Sequence, residues 1–199
     1  FPSVYRAGKY VENNESSAWL ERWIPFDFSS ISPVQREFCD WSRAPASWQP
    51  YHPSTDDYQR PGTMKRMIAR SLPVAAKGGS GTLAEEEVEK AFREAKEKGM
   101  ALLSFHSHDY YKSIHDDFAI ACGMVEKMSR AYGVPWKFSS ALEAVREYLE
   151  PAIGDLSLRL ERNGGNVDIF ANHSIFGDAP FVAVEYANGD TYRADVRRG

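Results

Sequence analysis

Cysteine is scarce. Cys39 and Cys122 are the two in 199 residues. They are too few for a disulfide framework and lack the spacing of a zinc knuckle, so either reduced thiols or a single bridge fits. Long apolar runs are absent, and nothing approaches the ~20 residues that span a bilayer. Basic charge is not in excess either. Lys and Arg number 24 against 28 Asp and Glu, for a net charge of -4, which excludes the non-specific nucleic-acid binding that clustered cations support. There is no initial Met, no signal-like segment, no long-period repeat and no low-complexity tract. A chain that opens at Phe1 carries the expectation that further residues lie upstream, and the cellular compartment stays open.

Hydrophobic residues at 43% and charged residues at 26% fit a globular protein. Aromatics at 13% suit either a large core or a sugar-binding cleft. The length allows one domain or a domain with a small appendage.

Asn14 before ESSAWLERW reads as the cap of a short amphipathic helix. IPFDFSSISP reads as a strand ending at Pro33, and TMKRMIARSLPVAA, residues 63–76, contains another. Between them, residues 33–62 hold five prolines with Trp41, Trp48, Tyr51 and Tyr58 interleaved. So long a connection is more often functional than average. GGSG at 78–81 is a turn without the Lys-Ser/Thr of a phosphate loop. Thr82 with Glu85 forms a capping box for a helix over Leu83–Lys98, which Gly99 stops. MALLSF at 100–105 has the continuous apolar character of a buried parallel strand. A helix from Ser113 to about Tyr132, a strand at VPWKF (134–138), and a helix opened by Ser140 and Glu143 follow. This strand–helix alternation predicts an α/β layout. After Pro151 the period changes to two in LSLRLER, NVDIFAN, PFVAVEY and TYRADVR, with Asn163-Gly164 and Asn188-Gly189 as turn signals. The expected division is an α/β unit over 1–151 and a small antiparallel β unit of about four strands over 152–199.

Chemistry concentrates in Phe105-His106-Ser107-His108-Asp109, at the end of an apolar strand, where α/β folds place their sites. Neutral imidazoles there exchange protons near pH 7 or bind metal. Two His at i and i+2 on an extended chain point to opposite sides, so one faces a cleft while the other packs. Asp27 and Asp40 are both candidates to orient a catalytic His. Arg6, beside Gly8, offers a guanidinium that could grip a carboxylate. Trp41, Trp48 and Tyr51 would either stack on sugar rings or pin their loop. His115-Asp116-Asp117 reads as the acidic start of a helix, and His52 and His173 as isolated surface or structural residues.

YRAGKY (5–10), IPFDFSSISP (24–33) and the block LLSFHSHDYY–helix–VPWKFSSALEAV together resemble NodB-homology polysaccharide deacetylases. The resemblance implies part of a distorted (β/α)7 barrel followed by an accessory β unit. It implies hydrolysis of the acetamide of an N-acetylated polysaccharide or amino sugar, with a divalent metal, zinc as a rule, polarising the carbonyl. Arg6 would pair with a base Asp, a backbone amide at or near Tyr10 would help bind the oxyanion, and His106 or His108 would be the acid, with His106 preferred. The family's Asp-Asp pair and HxxxH metal motif lie upstream of the Arg turn, and five residues precede Arg6. The metal-binding half is therefore expected in a missing N-terminal segment or a partner chain. The family's Asp-Trp has a counterpart only in Asp40-Trp41, far from the His strand. Two other readings stand beside it: a hydrolase whose metal sits locally on His106, His108 and Asp109, as H-x-H does in amidohydrolase and PHP-type barrels, and a non-catalytic glycan-binding module.

Overall fold

A computed structural model of the chain describes residues 3–74, 82–149, 155–176 and 180–197. The expected alternation of strand and helix is present. In chain order the strands are β1 (Val4–Tyr5), β2 (Phe26–Ser30), β3 (Gln35–Arg36), β4 (Cys39–Asp40), β5 (Met67–Pro73), β6 (Ser104–His106), β7 (Leu158–Asn163), β8 (Asn166–Ala171), β9 (Ala183–Glu185) and β10 (Thr191–Arg193). The helices are α1 (Asn14–Leu20), α2 (Glu85–Lys98), α3 (Ile114–Tyr132) and α4 (Ala141–Leu149).

Four strands pair in parallel in the order β1-β2-β5-β6. This corrects the expectation of part of a (β/α)7 barrel. The sheet turns through 192° and leaves a 13 Å gap, so β1 and β6 are open edges and no barrel closes. VPWKF, expected as the last strand, pairs with nothing and forms an irregular segment between α3 and α4. MALLSF contributes only its last two residues to β6, which runs on to His106. Leu102 spends its N–H on the carbonyl of Trp48, in the long connection, at 3.0 Å. GGSG at 78–81 lies outside the described residues.

Local signals place the helix ends. α2 stops at Gly99 (φ 88°) and α3 at Gly133 (φ 66°), left-handed positions that favour glycine. The cap of α1 is Asn13, one residue earlier than expected, paired reciprocally with Ser16. No side chain caps α2, whose N-cap is Ala84 rather than Thr82. Ser140 and Glu143 do form their box, with Ser140 N–H donating to Glu143 Oε2 at 2.8 Å. Beyond residue 155 the four expected strands form two separate antiparallel hairpins, β7–β8 and β9–β10. Among the described residues no helix is long and apolar enough to cross a membrane.

The core explains the aromatic content. Trp41 and Trp48 are 0% and 1% exposed and pack with Ile68 and Leu72 of β5, Phe92 of α2 and Val125 of α3. A second cluster joins Phe28, Ala69 and Leu102 to Val145 of α4. β5 is thus covered on both faces, and its run from Met67 to Leu72 is buried throughout.

The sheet also encloses charge. Arg66, immediately before β5, is fully buried and donates to Asp27 Oδ2 at 2.8 Å, to Ser17 Oγ at 2.8 Å and to Glu12. One guanidinium serves two carboxyls here. Burial first, and then the neighbouring Asp27 carboxylate, push the Glu12 carboxyl up to about 9.

Two outcomes follow for stability. Trp41→Ala should cost about 3–5 kcal/mol by the transfer and cavity terms of a large buried aromatic, read by denaturant unfolding. Because folding raises the Glu12 pKa, its stabilisation is complete below the ordinary value near 4.5 and is lost as pH rises towards about 9. Glu12→Gln should therefore match the parent protein at pH 5 and exceed it in urea midpoint at pH 9.

Candidate functional site

The site forms where the two edges of the sheet approach each other at the strands' C-terminal ends. β6 ends at His106, which is half-buried. Its Nε2 lies 2.8 Å from the Tyr10 hydroxyl and its Nδ1 lies 3.0 Å from Ser71 Oγ of β5. Ser104 Oγ in turn donates to Ser71 Oγ at 3.0 Å. Tyr10 comes from the tight turn Gly8–Tyr10 that follows β1, where Lys9 (φ 54°) and Tyr10 (φ 61°) both adopt left-handed backbone. Non-glycine residues are uncommon there, and such conformations persist only where surroundings hold them. The holding contacts are Trp41 Nε1–H to the Tyr10 carbonyl at 2.9 Å and the phenol to His106.

Arg6 and Arg36 flank the Tyr10 ring, with guanidinium carbons 5.8 Å and 5.5 Å from its centroid. One nitrogen of a neutral imidazole donates and the other accepts, so Tyr10 and Ser71 bond the ring in complementary senses. Burial, followed by the positive charge of Arg6, then His108 and Arg36, pushes the His106 imidazole down to about 3. Burial pushes the Tyr10 phenol up despite both arginines. The result is a neutral phenol–imidazole–hydroxyl relay beside two cations.

The structure thus brings together Arg6, Tyr10 and His106, three of the residues expected at a site. Tyr10 enters by its hydroxyl. Its N–H is occupied by the Ala7 carbonyl at 3.1 Å, and the following N–H, of Val11, by Gly8 at 3.2 Å, so neither is free for an oxyanion. Asp27 does not touch His106. It is fully buried against Arg66 and accepts from Ser29 N at 2.8 Å, while Ser29 Oγ accepts from the Ala7 amide at 2.8 Å. Asp27 therefore steadies the Arg6 turn from beneath. Asp40 points elsewhere, accepting from Ser42 Oγ at 2.7 Å, which holds its carboxyl below the usual range. Trp41 and Trp48 are core residues and cannot stack on a sugar. Tyr51 is bonded along β5 through Ile68, and its hydroxyl donates to the Tyr58 carbonyl at 2.8 Å.

His108 leaves the strand and stacks on Tyr110, centroids 4.8 Å apart, with Tyr111 packed edge-on to both. Among the described residues no group of three or more His, Cys, Asp and Glu is placed to hold a metal. The trio His106, His108 and Asp109 is not assembled as a metal site, and both nitrogens of His106 already have hydroxyl partners. The zinc implied by resemblance has no fitting ligand set among these residues. His115 and His173 are exposed, and His52 bonds the Arg66 carbonyl at 3.1 Å.

Four contributing residues were not anticipated. Ser71 lies inside the buried run of β5, where a polar residue signals a partner. Arg36 arrives from the β3–β4 hairpin, which no sequence pattern announced. Tyr110 and Tyr111, 68% and 45% exposed, form a rim beside the relay. The chain matches no family model, no curated protein and no solved structure.

Removing a neighbouring positive charge eases protonation. Arg6→Gln should therefore move the His106 titration upwards from about 3, seen in the ring carbon-bound proton shifts by NMR, while the parent His106 signals stay still between pH 8 and pH 5.

Proposed function

We propose that this chain carries the proton-transfer part of an amide-hydrolysing site acting on N-acetylated sugars, a polysaccharide deacetylase-type activity. The observation that supports the reading is the meeting of Arg6 and His106 across Tyr10. These two residues come from the two segments whose sequences resemble such enzymes, and they lie 100 positions apart.

In the proposed reaction water adds to the acetamide carbonyl, the C–N bond breaks, and acetate and a free amine leave. As the water adds, the unprotonated ring nitrogen of His106 takes one of its protons and hands it to the departing nitrogen, and the carboxylic acid formed gives up the other to solvent. The Tyr10 and Ser71 hydroxyls hold the orientation of the ring. Arg6 places positive charge where the carbonyl oxygen becomes negative. A divalent metal in this chemistry polarises the carbonyl. The described residues do not form its ligand set, and no step above is routed through it.

A second reading is a non-catalytic glycan-binding module. It is favoured by the His106 ring being held neutral with both nitrogens bonded to hydroxyls.

Incubation with N-acetylglucosamine tetramer, with and without added zinc, separates the two. The hydrolase reading expects acetate release that falls about 100-fold in His106→Ala and about 10-fold in Tyr10→Phe, in line with the worth of positioned acid–base groups. Binding of the tetramer without acetate, under both conditions, would establish the module instead.

A further inference from the structure

Arg6 and Arg36 bracket one phenol ring, yet neither is among the ion pairs formed between described residues. Both guanidiniums lie against the Tyr10 ring, 5.8 Å and 5.5 Å from its centroid, and both lower the proton affinity of His106. Asp40, in the same hairpin as Arg36, is turned onto Ser42. Two guanidiniums beside a half-buried imidazole, neither in an ion pair among the described residues, concentrate positive potential in a chain of net charge -4. Such an arrangement favours an anion.

The rim beside it is aromatic. Tyr110 stacks on His108 at an interplanar angle of 17°, and Tyr111 stands at 66° to Tyr110. Both tyrosines are exposed, unlike the buried Trp41 and Trp48. Tyr111 stands edge-on to His108, two residues beyond His106, with ring centroids 5.5 Å apart. Exposed tyrosine faces match the C–H faces of a sugar ring, and forked guanidiniums match a carboxylate.

We infer that the ligand of this site is an acidic glycan, whose uronate carboxylate is gripped by the forked guanidinium of Arg36 while a sugar ring lies on Tyr110 and Tyr111. The sugar component rests on the reading given under Proposed function, and the carboxylate component on Arg36, which forms no ion pair among the described residues. A carboxylate there also counters the positive field that holds the imidazole down to about 3, so binding should shift His106 upwards.

The test titrates the full chain with galacturonate trimer, N-acetylglucosamine trimer and inorganic phosphate. Calorimetry reads affinity, and NMR reads the His106 ring. The uronate trimer should bind about ten-fold or more tighter than either other probe and raise the His106 titration. Arg36→Gln should weaken the uronate about ten-fold and leave the neutral trimer within about two-fold, while Arg36→Lys, a charge without the fork, should fall between. Tyr110→Ala should weaken both sugars, by about five-fold, if the ring is read by stacking. Equal binding of neutral and acidic trimers, phosphate binding as tightly as uronate, or no response to either Arg36 variant would overturn the inference. Tight uronate binding with no acetate release from any sugar would sink the hydrolase reading and leave this one standing.

Discussion

The position of the site depends on a buried guanidinium. Arg66 is tied to Glu12 after the first turn, to Ser17 in α1 and to Asp27 in β2, while its backbone leads into β5. Removing Asp27 would leave the Arg66 guanidinium uncompensated in the interior, which costs several kcal/mol. Each segment is therefore held where it lies. The same network passes from Asp27 through Ser29 Oγ to the Ala7 amide, one residue beyond Arg6. A cluster with no access to solvent thus determines where an exposed guanidinium points.

That constraint makes sense of the turn at Lys9 and Tyr10. Two successive left-handed residues would not persist in a free loop. Here the chain is anchored on one side by Asp27 and Ser29, and on the other by Trp41, whose indole donates to the Tyr10 carbonyl. Trp41 is thus part of the site's scaffold without touching a ligand. The aromatic loop from 33 to 62 does matter to the site, but by burying its rings against β5 and α2 and holding the Tyr10 turn. The exposed rings that flank the relay come from a different segment, just after β6.

The relay is poised by burial more than by any single neighbour. A half-buried imidazole facing two cations stays neutral, and hydroxyls on both nitrogens hold it in place without charging it. Chemistry at such a ring is sensitive to what enters beside Arg6 and Arg36, because an arriving anion changes the field at the same atoms that move a proton.

Much of the local structure was legible in the residues alone. Gly99 and Gly133 end helices because left-handed backbone favours glycine, Ser140 and Glu143 cap one because their reach suits the first turn, and the period-two segments after residue 155 pair as hairpins. The ends of β1 and β6 were legible as places for polar chemistry for the same local reason. Tertiary structure decided the rest. Whether Trp41 and Trp48 face solvent depends on α2 and α3 packing over them. Whether Asp27 meets a histidine or an arginine depends on a partner 39 positions away. Whether four parallel strands close depends on further strands to complete the circuit, and here the sheet remains open. Contacts of that range leave no period or spacing in the chain, since they arise from the order in which buried surfaces and buried charges find one another.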